Sequence, residues 1–544
     1  MRLDGISLAI LHSRLISIVD ESAATLVRTA YSHIIRDAKD FAVGLLDSEG
    51  HTLSQSTESI PVFLGTMSRT ARALLEQTQP VGPGDIVVTN DPWLGSGHLP
   101  DVNMLMPVYD GDALLGYVVV IAHMADIGGR ILGTDANELF EEGLQIPVMK
   151  LYEGGRRNDA LLQLVRANVR VPEQVAGDLD AMVAAGHVAA RRLLDLAGEL
   201  RSTDFTSVAQ ALQERGEQAM REAIGNLATG TYGGELLVEG ADVPLMVAVR
   251  IDVDAAAGEI SLDYAGTTPQ VSTGHNATAG YTSAYTAYAL KCLLAPDLPF
   301  TEGIFTPLTV NVPEGSVLGC RRPAAVGGRH LVGQSTTSLV IRVMAEAIPE
   351  LAVADCGSPR PFITVAGRQA DGAPFSLPIL AMGGFGARAG SDGPPTMPFP
   401  SNTEAVPIET LEATTPLHLE EKELLCDSGG AGRRRGGLGQ RFRARALVDG
   451  INVSVIATRT RYPAEGLFGG GSGGLARIAV RSGATGEERT LASVARLMTG
   501  DELVIESPGG GGYGSPVERD PAALEADVAG GYVSADAAAA CYGR

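Results

Sequence analysis

Cysteine is scarce in this chain of 544 residues, and so is concentrated positive charge. The five cysteines (Cys292, Cys320, Cys356, Cys426 and Cys541) are odd in number and widely spaced, and no CxxC occurs. That pattern argues against both a disulfide framework and a cysteine-only zinc site. Lysine and arginine number 42 against 64 aspartates and glutamates, a net charge of −22. An acidic surface repels phosphate backbones, so nucleic-acid binding is not expected. The only basic cluster is Arg433-Arg434-Arg435, set among glycines. No run of about 18 apolar residues exists to span a membrane. The opening MRLDGISLAILHSRL has early charge and a short apolar patch, unlike a signal peptide. A cytoplasmic protein is expected. No GxxxxGK[ST] phosphate loop is present, so the chain is not expected to bind ATP itself.

What remains is globular material, 45% hydrophobic and 19% charged. The length exceeds what one compact core usually holds. The expected class is mixed α+β and multi-domain, in three regions. Residues 1–229 form an N-terminal α+β region, 230–435 a central α/β region, and 436–544 a β-rich, glycine-rich C-terminal part. Apolar residues at helical spacing, beginning with Ile6, Ile10, Leu11 and Leu15, predict a helix over 6–38. A hairpin is expected over 41–55 and a second helix over 66–77. The alanine-rich segment 173–226 reads as two helices broken near Ser202-Thr203. Further helices are expected over 281–294 and 335–347. The 67 glycines include clusters at 469–474 and 509–512. Without a helix and lysine to follow, these read as turns at strand ends. The stretch 427–437, DSGGAGRRRGG, could hold an anion on its amides and arginines, although a structural turn or a subunit contact is the simpler reading.

The chemistry concentrates in NDPWLGSGHLPD (90–101) and IAHMADIGG (121–129). Strands 102–109 and 113–122 flank Asp110-Gly111, a favoured hairpin turn. Were those two residues the turn, Tyr109 would face Asp112 and His98 would face His123, with Cβ atoms about 4.5–5.5 Å apart. Two imidazoles so placed can share a metal ion. Pro100 and Pro107 strain that register, because each removes a ladder donor. Asp101 sits near the same end, as an orienting group or a ligand. Asp40, at the junction of helix and hairpin, is the expected third ligand. Two histidines and a carboxylate leave an open position, suited to zinc, manganese or iron and to metal-assisted hydrolysis.

These segments resemble the hydantoinase B family, which includes the matching part of 5-oxoprolinases. The resemblance extends through LVRTAYSHIIRDAKDFAVGLLDSEG, LFEEGLQIPVMKLYEGG, LDYAGTTPQV, VPEGSVLGCRRPAAVGG, GGFGARAGSDG and PGGGGYGSPVERDP. It implies a B-type subunit of an ATP-dependent hydrolase of cyclic amides such as hydantoin, 5-oxoproline or another lactam. ATP would be bound by an A-type partner subunit in a hetero-oligomer. The implied metal ligands are Asp40, His98 and His123, with Asp101 and Asp126 as orienting or proton-accepting residues. Two other readings stay open: a subunit of an acetone- or acetophenone-type ketone carboxylase, and a scaffold whose metal only stabilises the fold. The chain departs from the family pattern at Ser59 and Phe63, where members often carry histidines. It departs again at Arg329-His330-Leu331, where Asn-Val-Glu is common. These changes bear on the substrate.

Overall fold

The computed structural model describes residues 4–78, 80–200 and 204–543. It is a mixed α/β architecture with four sheets. The first and largest is antiparallel, with strands β1 (Phe41–Leu46), β2 (Thr52–Gln55), β3 (Ile86–Thr89), β4 (Asp101–Asp110), β5 (Ala113–His123), β6 (Met149–Glu153) and β7 (Arg156–Arg157) in the order β2-β1-β5-β4-β3-β6-β7. Its central strands are apolar on both faces and buried along most of their length. Helices therefore cover both sides. The Cβ position of Gly44 meets Met67 of the helix Pro61–Thr78 on one face. On the other, Met104 and Met106 lie under Gly186 of the helix Pro172–Leu200.

The N-terminal helix, Gly5–Thr29, is shorter than its periodicity suggested. Asp4 caps it by accepting from the Ser7 amide at 2.7 Å, a common use of aspartate at this position. It ends at Ala30 because the Asp178 carboxylate accepts the amides of Tyr31 (2.7 Å) and Ser32 (3.0 Å), drawing the chain out of the helix. A separate turn, His33–Arg36, follows. The buried stripe is Leu8, Leu11, Leu15, Ile18, Val19 and Leu26, whereas Ile6 and Ile10 face outward. The expected break near Ser202-Thr203 lies outside the described residues; helices Pro172–Leu200 and Phe205–Gly225 stand on either side.

A second sheet, of strands Gly230–Val238, Leu245–Asp254, Glu259–Asp263 and Leu308–Asn311, packs with helices Ala279–Leu294 and Ser335–Met344 into the same apolar core as the first. The remaining two sheets, between Phe362 and Glu506, share a second core that includes Ile363, Val365, Phe442, Val453, Ile478 and Ile505. Two short helices, Pro521–Ala529 and Ala535–Tyr542, follow and were not foreseen.

The glycine clusters are not turns at strand ends. Segments around 383–386, 428–439, 466–474 and 508–512 run side by side outside any sheet and exchange backbone hydrogen bonds, among them Gly430 N to Gly510 O, Gly510 N to Gly437 O and Gly437 N to Phe385 O. A Cβ on Gly509 would lie 1.7 Å from the Ser428 carbonyl oxygen, and one on Gly436 would lie 2.0 Å from that of Gly510. Backbone packs directly on backbone here, so side chains are excluded and glycine is required.

Candidate metal centre

The hairpin β4–β5 delivers the site, in a register different from the simplest expectation. Asp110 pairs with Ala113, so Gly111 and Asp112 form the turn, with Gly111 at φ 59°. A bulge between Val108 and Tyr109 adds a further shift. His123 consequently faces Asp101, not His98. Pro100 lies just outside the strand, and Pro107 lies beyond the residues of β4 that pair with β3. On the other side of β5, Phe41 pairs with Ala122, and the His123 amide donates to the Asp40 carbonyl at 3.1 Å. Asp40, His123 and Asp101 thus stand in a row across three neighbouring strands, on the face covered by the helix Pro61–Thr78. Lys39, at φ 57°, turns the chain from the short helix into that row.

His98 reaches the row from the loop before β4. Asn90 braces this loop, donating to the Leu99 and Leu144 carbonyls and accepting from the Ile146 amide. His98 Nε2 lies 2.8 Å from Asp101 Oδ1, and His123 Nδ1 lies 3.0 Å from the same oxygen. The second carboxylate oxygen accepts from Ser96 Oγ and from Arg329, each at 2.6 Å. All three residues are buried, and their ligand atoms lie within 4.8 Å of one another. Two imidazoles and a carboxylate in one pocket fit a divalent ion of the zinc or manganese type.

The electrostatics follow from burial. His98 is pushed down to about 3 by burial and by the neighbouring Arg329. Burial alone would raise the Asp101 carboxyl, but His98, Arg329 and the histidine hydrogen bonds outweigh it and hold it well below the usual range. At neutral pH His98 is therefore neutral and Asp101 ionised. Asp40 behaves differently, raised by burial against the opposing pull of His123. It lines a cavity together with His98, His123, Arg329, Arg360 and Gln334.

Over residues 4–516 the sequence matches the hydantoinase B/oxoprolinase family. The chain belongs to that family. An uncharacterised protein of Methanocaldococcus jannaschii is 32% identical over 97% of this chain and 93% of its own length. The B-type subunit of a putative D-/L-hydantoinase from a Pseudomonas species is 28% identical over 100% of this chain and 95% of its own. The fold is similar to the crystal structure of an ATP-dependent caprolactamase from Pseudomonas jessenii, with TM-score 0.94 and 25% identity, covering 100% of this chain and 96% of that one. The hydantoinase B/oxoprolinase chains to which this one is related thus include ATP-dependent lactam hydrolases.

Of the residues singled out in the sequence, His98, His123 and Asp101 meet directly, and Asp40 faces the same cavity. Asp126 does not join them. Its carboxylate accepts from the Arg170 backbone and guanidinium, and it borders a second cavity that His123 also lines. Arg360 was not foreseen. It is buried, donates to Ser401 Oγ at 2.6 Å, and leaves its Nε without a partner. Glu142 was also missed. Its Oε1 accepts the amides of Val326 (2.9 Å) and Gly327 (2.6 Å), while Oε2 is buried and unpartnered. That contact ties the LFEEG segment to the VGG segment, a pairing visible only in three dimensions. In the arginine cluster at 433–435, Arg435 is engaged within the fold, donating to Asp527 and to the Gly436 carbonyl, whereas Nε of Arg434 is buried without a partner. Among the described residues, no helix is long and apolar enough to cross a membrane.

Proposed function

We propose that the chain is the B-type subunit of an ATP-dependent hydrolase of cyclic amides, acting with an A-type subunit that binds ATP. The observation that carries this reading is the buried cluster of His98, Asp101 and His123, whose two histidines line a cavity with Asp40 and Arg360. These three residues would hold a divalent ion, with Asp40 next to His123. Such an ion supplies Lewis acidity and makes water nucleophilic near neutral pH.

An unstrained amide resists water because its carbonyl is a poor electrophile and amine a poor leaving group. Phosphorylation of the amide oxygen by the partner would relieve the first difficulty. The cavity suits the resulting anion. Arg329 and Arg360 balance Asp101 and Asp40, so a divalent ion leaves the site with surplus positive charge, which favours an anionic ligand in a low-dielectric space. Arg360, buried and with an unpartnered Nε, is placed to donate to a phosphoryl or carbonyl oxygen. Asp40 and Gln334 Oε1, the latter buried without a partner, supply acceptors for a ring N–H.

The test is reconstitution with the A-type subunit and assay of ATP-dependent ring opening on hydantoins, 5-oxoproline and simple lactams. Metal content is measured by elemental analysis in parallel. Near-stoichiometric metal in the wild type, with loss of metal and activity in a His98→Ala/His123→Ala variant, is the expected result. Labelled bicarbonate appearing in the product would instead identify a ketone carboxylase. Retention of both metal and activity in the double variant would remove the site from the mechanism.

A further inference from the structure

Arg329 touches two of the three residues that would hold the ion. Its Nη1 lies 2.8 Å from His98 Nδ1, its Nη2 donates to Asp101 Oδ2 at 2.6 Å, and its Nε donates to the Ser96 carbonyl at 2.7 Å. The guanidinium also stacks over Tyr281 at 4.5 Å. Arg329 itself is buried. Gly97, at φ 101°, leaves room for it: a Cβ there would lie 2.7 Å from Arg329 Cδ.

We infer that Arg329 is a resident cation of this site and holds its affinity for a divalent ion below what His98, Asp101 and His123 alone would give. This rests on the reading of those three residues as metal ligands. A guanidinium has only donors and stays charged in proteins. The ring nitrogen facing it must therefore accept, so Nδ1 of His98 carries no proton. Neutral His98 then keeps its proton on Nε2, the atom that faces Asp101. An ion can take Nε2 only if that proton leaves, or if Nδ1 gives up Arg329 and takes the proton instead. A metal-binding imidazole usually donates its other N–H to a carboxylate or carbonyl, which strengthens it as a ligand. Here the second nitrogen receives from a cation, which weakens it.

Asp101 adds a second cost. The oxygen not shared with the histidines already neutralises Arg329, so the carboxylate offers an ion less net charge. Like charge near the site opposes a divalent ion directly, and the effect is strong in a buried pocket. Arg329 does not move aside freely. Ser96, Tyr281 and Asp101 fix it from three directions, and no carboxylate other than Asp101 pairs with it among the described residues.

The experiment is metal titration of the full-length, chelator-stripped chain with Mn²⁺ and with Zn²⁺, read by calorimetry and by competition with a chromophoric chelator. Wild type is compared with Arg329→Gln, which removes the charge, and with Arg329→Lys, which keeps the charge without the fork. Circular dichroism confirms folding of each. Arg329→Gln is expected to bind each ion at least about tenfold more tightly than wild type, with Arg329→Lys in between. Should Arg329→Gln fail to fold, tighter binding by Arg329→Lys carries the test, since Lys cannot span both His98 and Asp101. Unchanged or weaker binding in the folded variants, with wild type binding well, would overturn this inference and leave the metal-site reading intact. Absence of binding in wild type and variants alike would overturn both.

Discussion

Asp101 and His123 face each other across β4 and β5, joined by a 3.0 Å hydrogen bond, and the same register continues to Asp40 beside β1. Asp101 is the hub, since one oxygen takes both histidines and the other takes Ser96 and Arg329. Replacing Asp101 by alanine would leave the buried Arg329 charge unpaired. A broken buried ion pair of this kind costs about 3–5 kcal/mol. Chemical denaturation of Asp101→Ala should show a loss of that size, and Asp101→Asn, which keeps the shape and an acceptor oxygen, a smaller one. Equal stability of Asp101→Ala and wild type would contradict the hub role.

A bound ion stabilises the folded chain by mass action. With free metal at about 100 times the dissociation constant, the gain is about 2.7 kcal/mol. Chelation should therefore lower the unfolding midpoint of wild type, and added Mn²⁺ or Zn²⁺ should restore it. The His98→Ala/His123→Ala variant should melt at the same temperature with or without metal. Thermal scans at fixed protein concentration decide the matter, and a metal-dependent midpoint surviving in the double variant would place the ion elsewhere.

The elements of this region were legible because alternation and helical periodicity are local. The hairpin, its flanking helices and the convergence of His98 and His123 all follow from short stretches of chain. The register was not, because it depends on one residue of turn placement and on the bulge at Val108/Tyr109, and these exchange His98 for Asp101 as the partner of His123. The glycine clusters misled for a related reason. Glycine serves both tight turns and close backbone approach, and only the packing of distant segments tells the two apart. Arg360 and Glu142 had no local signature. Each matters through contacts more than forty residues away in sequence, Arg360 with Ser401 and Glu142 with Val326 and Gly327.

Glu142 should leave a mark on the pH dependence of stability. Burial raises its carboxyl from the ordinary 4.5 to about 7, against the pull of the Val326 and Gly327 amides. Between those values the folded chain holds a proton that the unfolded chain has released, so stability falls as pH rises through that window. The loss is complete above the folded value and amounts to about 3 kcal/mol. Glu142→Gln keeps an acceptor for both amides but cannot ionise. It should be less stable than wild type by little or nothing at pH 5, and more stable at pH 8. A wild-type-minus-variant difference that stays constant across pH would show that Glu142 does not titrate in this range.

The backbone-packed glycine layer makes the sharpest prediction about the fold. A Cβ at Gly509 would fall 1.7 Å from the Ser428 carbonyl oxygen, where no side chain can yield because the obstacle is main chain. The backbone would have to shift, loosening the bonds from Gly509 N to Gly474 O and from Gly430 N to Gly510 O that knit neighbouring segments together. Overpacking a fixed interior costs roughly 3 kcal/mol, and the hydrogen bonds at risk add to it. Gly509→Ala should therefore lose much of its folded yield or unfold at distinctly lower denaturant. The control is Gly198→Ala, at an exposed position of the helix Pro172–Leu200 with nothing within 4 Å of its Cβ position. There the methyl group removes only backbone freedom, so a gain of about 0.5–1 kcal/mol is expected. If the two substitutions behaved alike, close backbone contact would not be the reason for glycine at position 509.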